Sequence, residues 1–425
     1  MSQTNKATPR VVDGATYVSD KYWWKTVALF FIGWVLMYAD RTILNPIMPQ
    51  IAEEFNLSNT QLGLVSSVFF LTYAITQIPF GVIGDKYGRK LVIAIGFVFM
   101  GIATFFSGIL SGFGMFMIFR ALTGMGQGSY YGPQYALSTE AIPTKHLTLG
   151  NAIINSGMAL GTSGGYLISS KLVLENGEHW TLPFKIMAIP TVIVGFLFFF
   201  LLKEKVVRPE DQNVSTENDH IVSESIKKVS VASIFRNRNL VLTFIMCFCS
   251  IYGFYVVLTW LPQFLQVERG FEGTRVGFIS SLVPWASIPG ALIFAFLSDK
   301  VKRTKLFIFI LVPVAAISIF AIAFVTSQTL LIIALIAYGL TGKLAIDPIL
   351  VAFVSKNAPK GSLSTALSAY NFIGMSSSIL APFLTGFISD QFGSMQLGFY
   401  LAAALLLFGM IVFSFVREDE VVAFK

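Results

Sequence analysis

Charge is scarce in this chain: across 425 residues only 12 % are Asp, Glu, Lys or Arg, about half of what a soluble domain carries. That deficit excludes an ordinary water-soluble surface. Cysteine is almost absent, and the two present, Cys247 and Cys249, sit inside one apolar run, so neither a disulfide framework nor a zinc site is supported. Histidine is rarer than in most enzymes, and His146, His179 and His220 all fall at the edges of apolar runs or between them. An intramembrane enzyme would need a nucleophile and base or a metal cluster within those runs, and none is evident. No metal and no cofactor are expected.

What the chain has is hydrophobic length. It is 55 % hydrophobic with 41 Phe, arranged in runs of about 20 residues, each able to cross about 30 Å of hydrocarbon. The periodicity predicts twelve spans, near 26–48, 61–83, 91–110, 112–134, 146–170, 181–203, 239–266, 272–296, 305–326, 328–354, 362–388 and 396–416. A large buried helical core is the soluble alternative, but such a core has no need for so many runs of membrane length.

One polar stretch, 204–238, interrupts the series and reads as a linker. It divides the chain into a tail (1–25), a six-helix bundle (26–203), the linker, a second six-helix bundle (239–416) and a short tail (417–425). A charged joint, Gly84-Asp85-Lys86-Tyr87-Gly88-Arg89-Lys90, lies after the second span. A weaker copy, Ser298-Asp299-Lys300-Val301-Lys302-Arg303-Thr304-Lys305, follows about 214 residues later. Duplication of this kind is the architecture of a transporter.

The net charge of +7 does not describe a nucleic-acid face, because the cations gather in alternate loops. Lys6, Arg10, Lys21 and Lys25 precede the first span; Lys86, Arg89 and Lys90, then Lys145, then seven cations from Lys203 to Arg238 follow on the same side. Lys300, Lys302, Arg303, Lys305, Lys356 and Lys360 continue the series, whereas the opposite loops hold essentially Lys171, Lys185, Arg269 and Arg275. The bias predicts a multi-pass protein of the cell membrane with both termini and the linker in the cytoplasm. The polar start lacks an apolar core and cleavage site, so no cleaved signal peptide is expected.

With Gly81, Asp85, Gly88, Arg89 and Lys90 in the turn after the second span, the chain resembles a major facilitator superfamily transporter over its full length. The resemblance implies an all-α integral membrane fold of twelve helices in two bundles. It also implies that Asp85 and Arg89 belong to a cytoplasmic latch that closes when the site opens outward. A plain topogenic turn is the simpler account, and the two are compatible. More finely, Tyr38-x-Asp40-Arg41, Arg120-x-x-x-Gly124-x-Gly126-Gln127, Ser355-x-x-x-Pro359 and Asn371-Phe372-x-Gly374 resemble the anion:cation symporter family of organic-anion and sugar-acid carriers.

Five charges fall deep inside the predicted spans, away from their ends: Asp40, Arg41, Arg120, Lys343 and Asp347. Each costs at least about 2.5–3.5 kcal/mol at mid-bilayer and so requires a reason. Arg41 is the foremost candidate for gripping an anion, since its fork matches a carboxylate. Arg120 either assists or pairs with Asp40. Adjacent on a helix, Asp40 and Arg41 point about 100° apart and cannot simply pair with each other. In the fourth span Arg120, Gly124, Gln127, Tyr131 and Gln134 recur at offsets of 4, 7, 11 and 14, one helical face, read as lining a water-filled path. Tyr38 is a further contact or an interface tyrosine.

Asp40 is the expected proton carrier, because a carboxylate alternating between dry and arginine-paired surroundings can load and release a proton. In the resembled family a glutamate usually follows the Gly-x-Gly element; here Gln127 stands there and cannot titrate. Coupling then rests on Asp40 alone, or the carrier is an exchanger or uniporter. Lys343 and Asp347, at i and i+4, are either a mutually tolerating pair or a second charged contact or gate. Softer candidates are Tyr252, Tyr255 and Thr259 in the seventh span, Ser280, Ser281 and Trp285 in the eighth, and Asn371 with Ser368 and Tyr370 in the eleventh. Each alone is better explained by packing than by ligand binding; together they suit hydroxyl-rich ligands better than greasy ones. The glycine-rich Gly157-x-x-x-Gly161-Thr162-Ser163-Gly164-Gly165 is expected to pack helices.

The expected protein is therefore a monomeric secondary transporter moving a small organic anion, a sugar acid or other carboxylate, with protons, amid membrane lipids and without nucleic acid. An efflux carrier for amphiphilic compounds and a non-transporting sensor in the same fold are the alternatives.

Overall fold

The computed structural model describes residues 16–19, 21–109, 112–143, 146–207, 231–301, 303–359 and 363–418. Most of the expected linker and both outer tails lie outside them, as do Lys302 and the side chain of Asp299 in the second charged joint.

Six helical rods precede the linker. They are α1 (Tyr22–Thr42, extended by a 3-10 turn at Asn45–Ile47 and α2, Met48–Phe55), α3 (Asn59–Tyr87), α4 (Arg89–Ser107), α5 with α6 (Phe113–Gly128, Tyr131–Ala141), α7 (Leu147–Ser169) and α8 (Leu182–Leu201). After β2 (Val206–Val207) and the short α9 (Val231–Arg236) come six more. These are α10 (Arg238–Val267), α11 (Thr274–Val301), α12 (Thr304–Phe324), α13 with α14 (Gln328–Thr341, Lys343–Asn357), α15 (Leu363–Phe392) and α16 (Gln396–Ser414).

Among the described residues, ten helices are long and apolar enough to cross a membrane, against the twelve expected. The fourth and fifth rods fall short for a physical reason. The fourth is broken into pieces of 16 and 11 residues, and the fifth, α7, is diluted by glycines and by Asn151 and Asn155. A small departure from all-α structure is also present: Thr16 and Tyr17 (β1) pair in parallel with β2, tying the start of the described chain to the start of the linker.

Close packing of α7 on α1 follows from spacing. Gly157, Gly161 and Gly165 step along one face of α7 against the carbonyls of Phe31, Val35 and Ala39, and a Cβ at any of them would collide with the facing backbone. This brings α1 near enough for Thr42 Oγ1 to donate to the Thr162 carbonyl at 3.1 Å.

Contact between the halves is made chiefly by α3 against α15 and α7 against α11. The described hydrogen bonds across this seam gather at the end remote from the start of α1. There the Asp390 carboxylate accepts from the backbone N–H of Asn59 (2.9 Å) and Thr60 (2.7 Å) and from the Thr60 hydroxyl (2.5 Å). A carboxylate from one half thus caps the first turn of a helix in the other. Ser67 donates to the Ile379 carbonyl (2.6 Å), and Asn45 and Tyr166 both donate to that of Leu258 (2.8 and 2.5 Å). The halves are locked at one end, and a cavity runs between them toward the other.

Candidate functional site in the central cavity

The cavity has a volume of about 660 Å³, enough for a small solute of a dozen or so heavy atoms with water. Its walls come from both halves. Trp34, Tyr38 and Arg41 enter from α1, Tyr73 from α3, and Tyr131 and Tyr135 from α6. From the second half come Tyr255 of α10, Lys343 and Asp347 of α14 and Asn371 of α15.

Two breaks in the helices position this lining. The fourth rod breaks at Ser129–Tyr130, and the tenth breaks at Gly342, whose ψ of −156° interrupts the helix just before Lys343. They are the corresponding rods of the two halves. Interrupted helices at matching positions are the pattern by which repeat-built transporters frame a midplane site.

Asp40 is fully buried behind the wall, outside the cavity lining. Its Oδ1 accepts from Thr104 at 2.7 Å and its Oδ2 from Gln127 Nε2 at 3.0 Å, while Arg120 Nη1 lies 3.6 Å from Oδ2. Arg120 is 2 % exposed, so its charge is offset by Asp40 rather than presented to a solute. Arg41, one residue on, takes the opposite part. Its Nε donates to Gln127 Oε1 at 2.7 Å, and the guanidinium carbon lies 4.6 Å from the ring centroids of both Tyr38 and Tyr73. Its Nη2 is buried and, among the described residues, has no hydrogen-bond partner, as is true of Nε and Nη1 of Arg120. A guanidinium held in a cavity wall with no carboxylate beside it is what an incoming carboxylate would satisfy.

The series read from the fourth span does not line the cavity as a whole. Arg120, Gln127 and Gln134 are fully buried and outside the lining, with Gln134 accepting from the Trp34 indole at 3.2 Å. Tyr131, past the break, does line the cavity. Tyr38, Tyr255 and Asn371 line it too; Tyr252 is buried away from it, and Trp285 is half-exposed on α11, outside the lining. Lys343 and Asp347 are paired at 3.2 Å, and Tyr370 donates to Asp347 Oδ1 at 2.5 Å.

At the charged joint, Arg89 Nε lies 2.9 Å from Asp85 and the same guanidinium bonds Glu140, all within the first half. The Lys90 backbone donates to Glu204. The joint is thus closed on its own half and on the start of the linker.

Trp34, Tyr73, Thr104, Tyr135 and Asn155 belong to the site or its support but do not stand out in the sequence. Tyr135 donates to Asn155 at 3.0 Å. The i, i+4 spacing of Tyr131 and Tyr135 was the available signal for that wall. Thr104 carries none, being one hydroxyl in an apolar run.

A sequence profile of the Major Facilitator Superfamily matches residues 30–382 and 273–424. The chain is 29 % identical to the hexuronate transporter of Bacillus subtilis, the match covering 92 % of this chain and 94 % of that one. It is 26 % identical to the cis,cis-muconate transport protein of Acinetobacter baylyi (93 % and 95 % covered). Identity to the probable galactarate/D-glucarate transporter of Escherichia coli K12 is 24 % (92 % and 94 % covered). In fold it matches the crystal structure of a bacterial homolog of the human lysosomal transporter Spinster, inward-facing and unoccupied, with a TM-score of 0.80 at 15 % identity over 93 % of this chain and 97 % of that one.

Proposed function

The chain belongs to the Major Facilitator Superfamily, whose members are membrane transporters rather than enzymes, and on that premise we propose that it moves a small organic anion across the cell membrane by alternating access. The substrate class is a sugar acid or another small carboxylate. One observation carries this: Arg41 lines a cavity shared by both halves and, among the described residues, has no carboxylate within ion-pair distance. The hexuronate, muconate and galactarate/glucarate transporters it resembles are named for organic anions, one a monocarboxylate and the others dicarboxylates.

We propose further that the end where α1 begins is cytoplasmic, which makes this conformation inward-open. The alternating basic loops support that assignment. Opening outward then requires the bonds of Asp390 to break and the Asp85–Arg89 joint to engage the second half as a latch. In this scheme the protein works as a monomer of two bundles, 26–203 and 239–416, joined by the 204–238 linker.

Asp40 is proposed to carry the coupling proton, because it is a buried carboxylate one residue from the anion grip and tied to it through Gln127. Gln127 itself cannot carry a proton, which favours exchange or uniport as the second scheme. Uptake of labelled six-carbon sugar acids into proteoliposomes, with and without an inward proton gradient, tests both. Gradient-driven accumulation supports coupling; exchange alone supports the second. Competition by lipophilic cations instead of organic acids would indicate an efflux carrier for amphiphilic compounds.

A further inference from the structure

The two halves present unequal charge to the cavity. From the first half Arg41 contributes one positive charge without a counter-ion in the lining, since Asp40 and Arg120 face each other behind the wall. From the second half Lys343 and Asp347 contribute one charge of each sign, 3.2 Å apart. Among the described residues the lining therefore sums to a single positive charge: Arg41 plus Lys343 minus Asp347.

The pair is held but not saturated. The Lys343 and Asp347 side chains remain 20 % and 28 % exposed, and both line the cavity. An ammonium has three donors, and Asp347 occupies one; a carboxylate accepts about four hydrogen bonds, and Lys343 and Tyr370 supply two. Donor and acceptor capacity thus stand side by side on one wall, with no net charge. Asn371, from the neighbouring α15, adds an amide to the same cavity.

We infer that the Lys343–Asp347 pair is a neutral subsite for hydroxyl groups, binding the uncharged end of a substrate whose carboxylate is held by Arg41. A hydroxyl can accept from Lys343 and donate to Asp347 at once. A carboxylate at the same place has no proton to give Asp347 and meets its like charge. The carrier accordingly selects polyhydroxy monocarboxylates and rejects the dicarboxylate of equal chain length. This deepens the anion-transport proposal and rests on it.

The test compares six-carbon aldonates with their aldarates, which differ only in a hydroxymethyl group replaced by a second carboxylate. Calorimetric binding to the purified full-length protein at neutral pH, where both classes are fully ionised, should show the aldonate bound at least about 10-fold more tightly, given the cost of a like-charge juxtaposition. Asp347→Asn keeps the shape and an acceptor for Tyr370 but raises the lining to two positive charges, and should bring the ratio to about one or invert it. The wild-type ratio alone decides the matter if that variant does not fold. Aldarate bound as tightly as aldonate by the wild type, or an unchanged ratio in folded Asp347→Asn, overturns the subsite while leaving the anion grip at Arg41 standing. Binding of neither class overturns both.

Discussion

The Nε of Arg41 donates to the Oε1 of Gln127 at 2.7 Å, while the Nε2 of the same amide donates to Asp40 at 3.0 Å. One uncharged side chain thus holds the anion grip on one side and the buried acid on the other. Replacing it by an acid changes both relationships. In Gln127→Glu an ionised carboxylate would cancel the charge of Arg41, so anion affinity should become pH-dependent, tight at low pH and weakened as the new carboxylate ionises. Binding titrations between pH 5 and 8 check this, with the wild type varying less over the same range; an equal pH slope in both proteins contradicts it.

Arg41→Lys retains the charge but loses the fork and its placement between the rings of Tyr38 and Tyr73. A charge-assisted hydrogen bond contributes about 1.5–3 kcal/mol, so carboxylate affinity should fall about 10- to 100-fold. Isothermal titration gives the number directly, and unaltered affinity removes Arg41 from the site.

Asp40→Asn should abolish pH-driven accumulation while counterflow persists, because exchange needs no net proton movement. Proton-driven uptake continuing in this variant would place coupling elsewhere. The substitution also leaves Arg120 without its counter-ion in a buried setting. A measurable drop in Tm is expected, within the roughly 3–5 kcal/mol that breaking a buried pair costs.

Asp390→Ala removes the cap that the second half places on the first turn of α3. Losing about 2 kcal/mol from that seam shifts the equilibrium between conformers about 30-fold toward the state open at this end. Spin-label distances across the α3–α15 seam report the shift, and an unchanged distance distribution shows that the cap does not control opening.

Gly161→Val pushes a branched side chain into the Val35 carbonyl of α1. Overpacking of this kind costs about 1–3 kcal/mol, so thermal stability in detergent should fall. Gly164→Val, at a glycine with open space beside it, is the matched control and should leave Tm nearly unchanged.

Charge within apolar runs was the legible part of the site. Asp40, Arg41, Lys343 and Asp347 stand out because each needs a reason to be in a membrane, and the structure places Arg41, Lys343 and Asp347 on one cavity. The distinction between Arg41, which lines the cavity, and Arg120, which faces Asp40, was not legible, because it depends on how α5 packs against α1. Periodicity groups residues on one face but does not say which of them border the cavity: Tyr131 lines it, while Arg120, Gln127 and Gln134 are buried outside the lining. Tyr73 and Trp34 escaped notice for a different reason. Aromatic side chains are common on every face of membrane helices, so composition alone does not separate a cavity wall from a lipid-facing one.

Transport assays with a six-carbon sugar acid and the corresponding uncharged alditol test the anion grip most directly. In proteoliposomes of wild-type protein the acid should exchange across the membrane, the alditol should not, and Arg41→Lys should lose most of the acid flux. Alditol or lipophilic cations moving while the acid does not would contradict the assignment of this cavity to an anionic cargo.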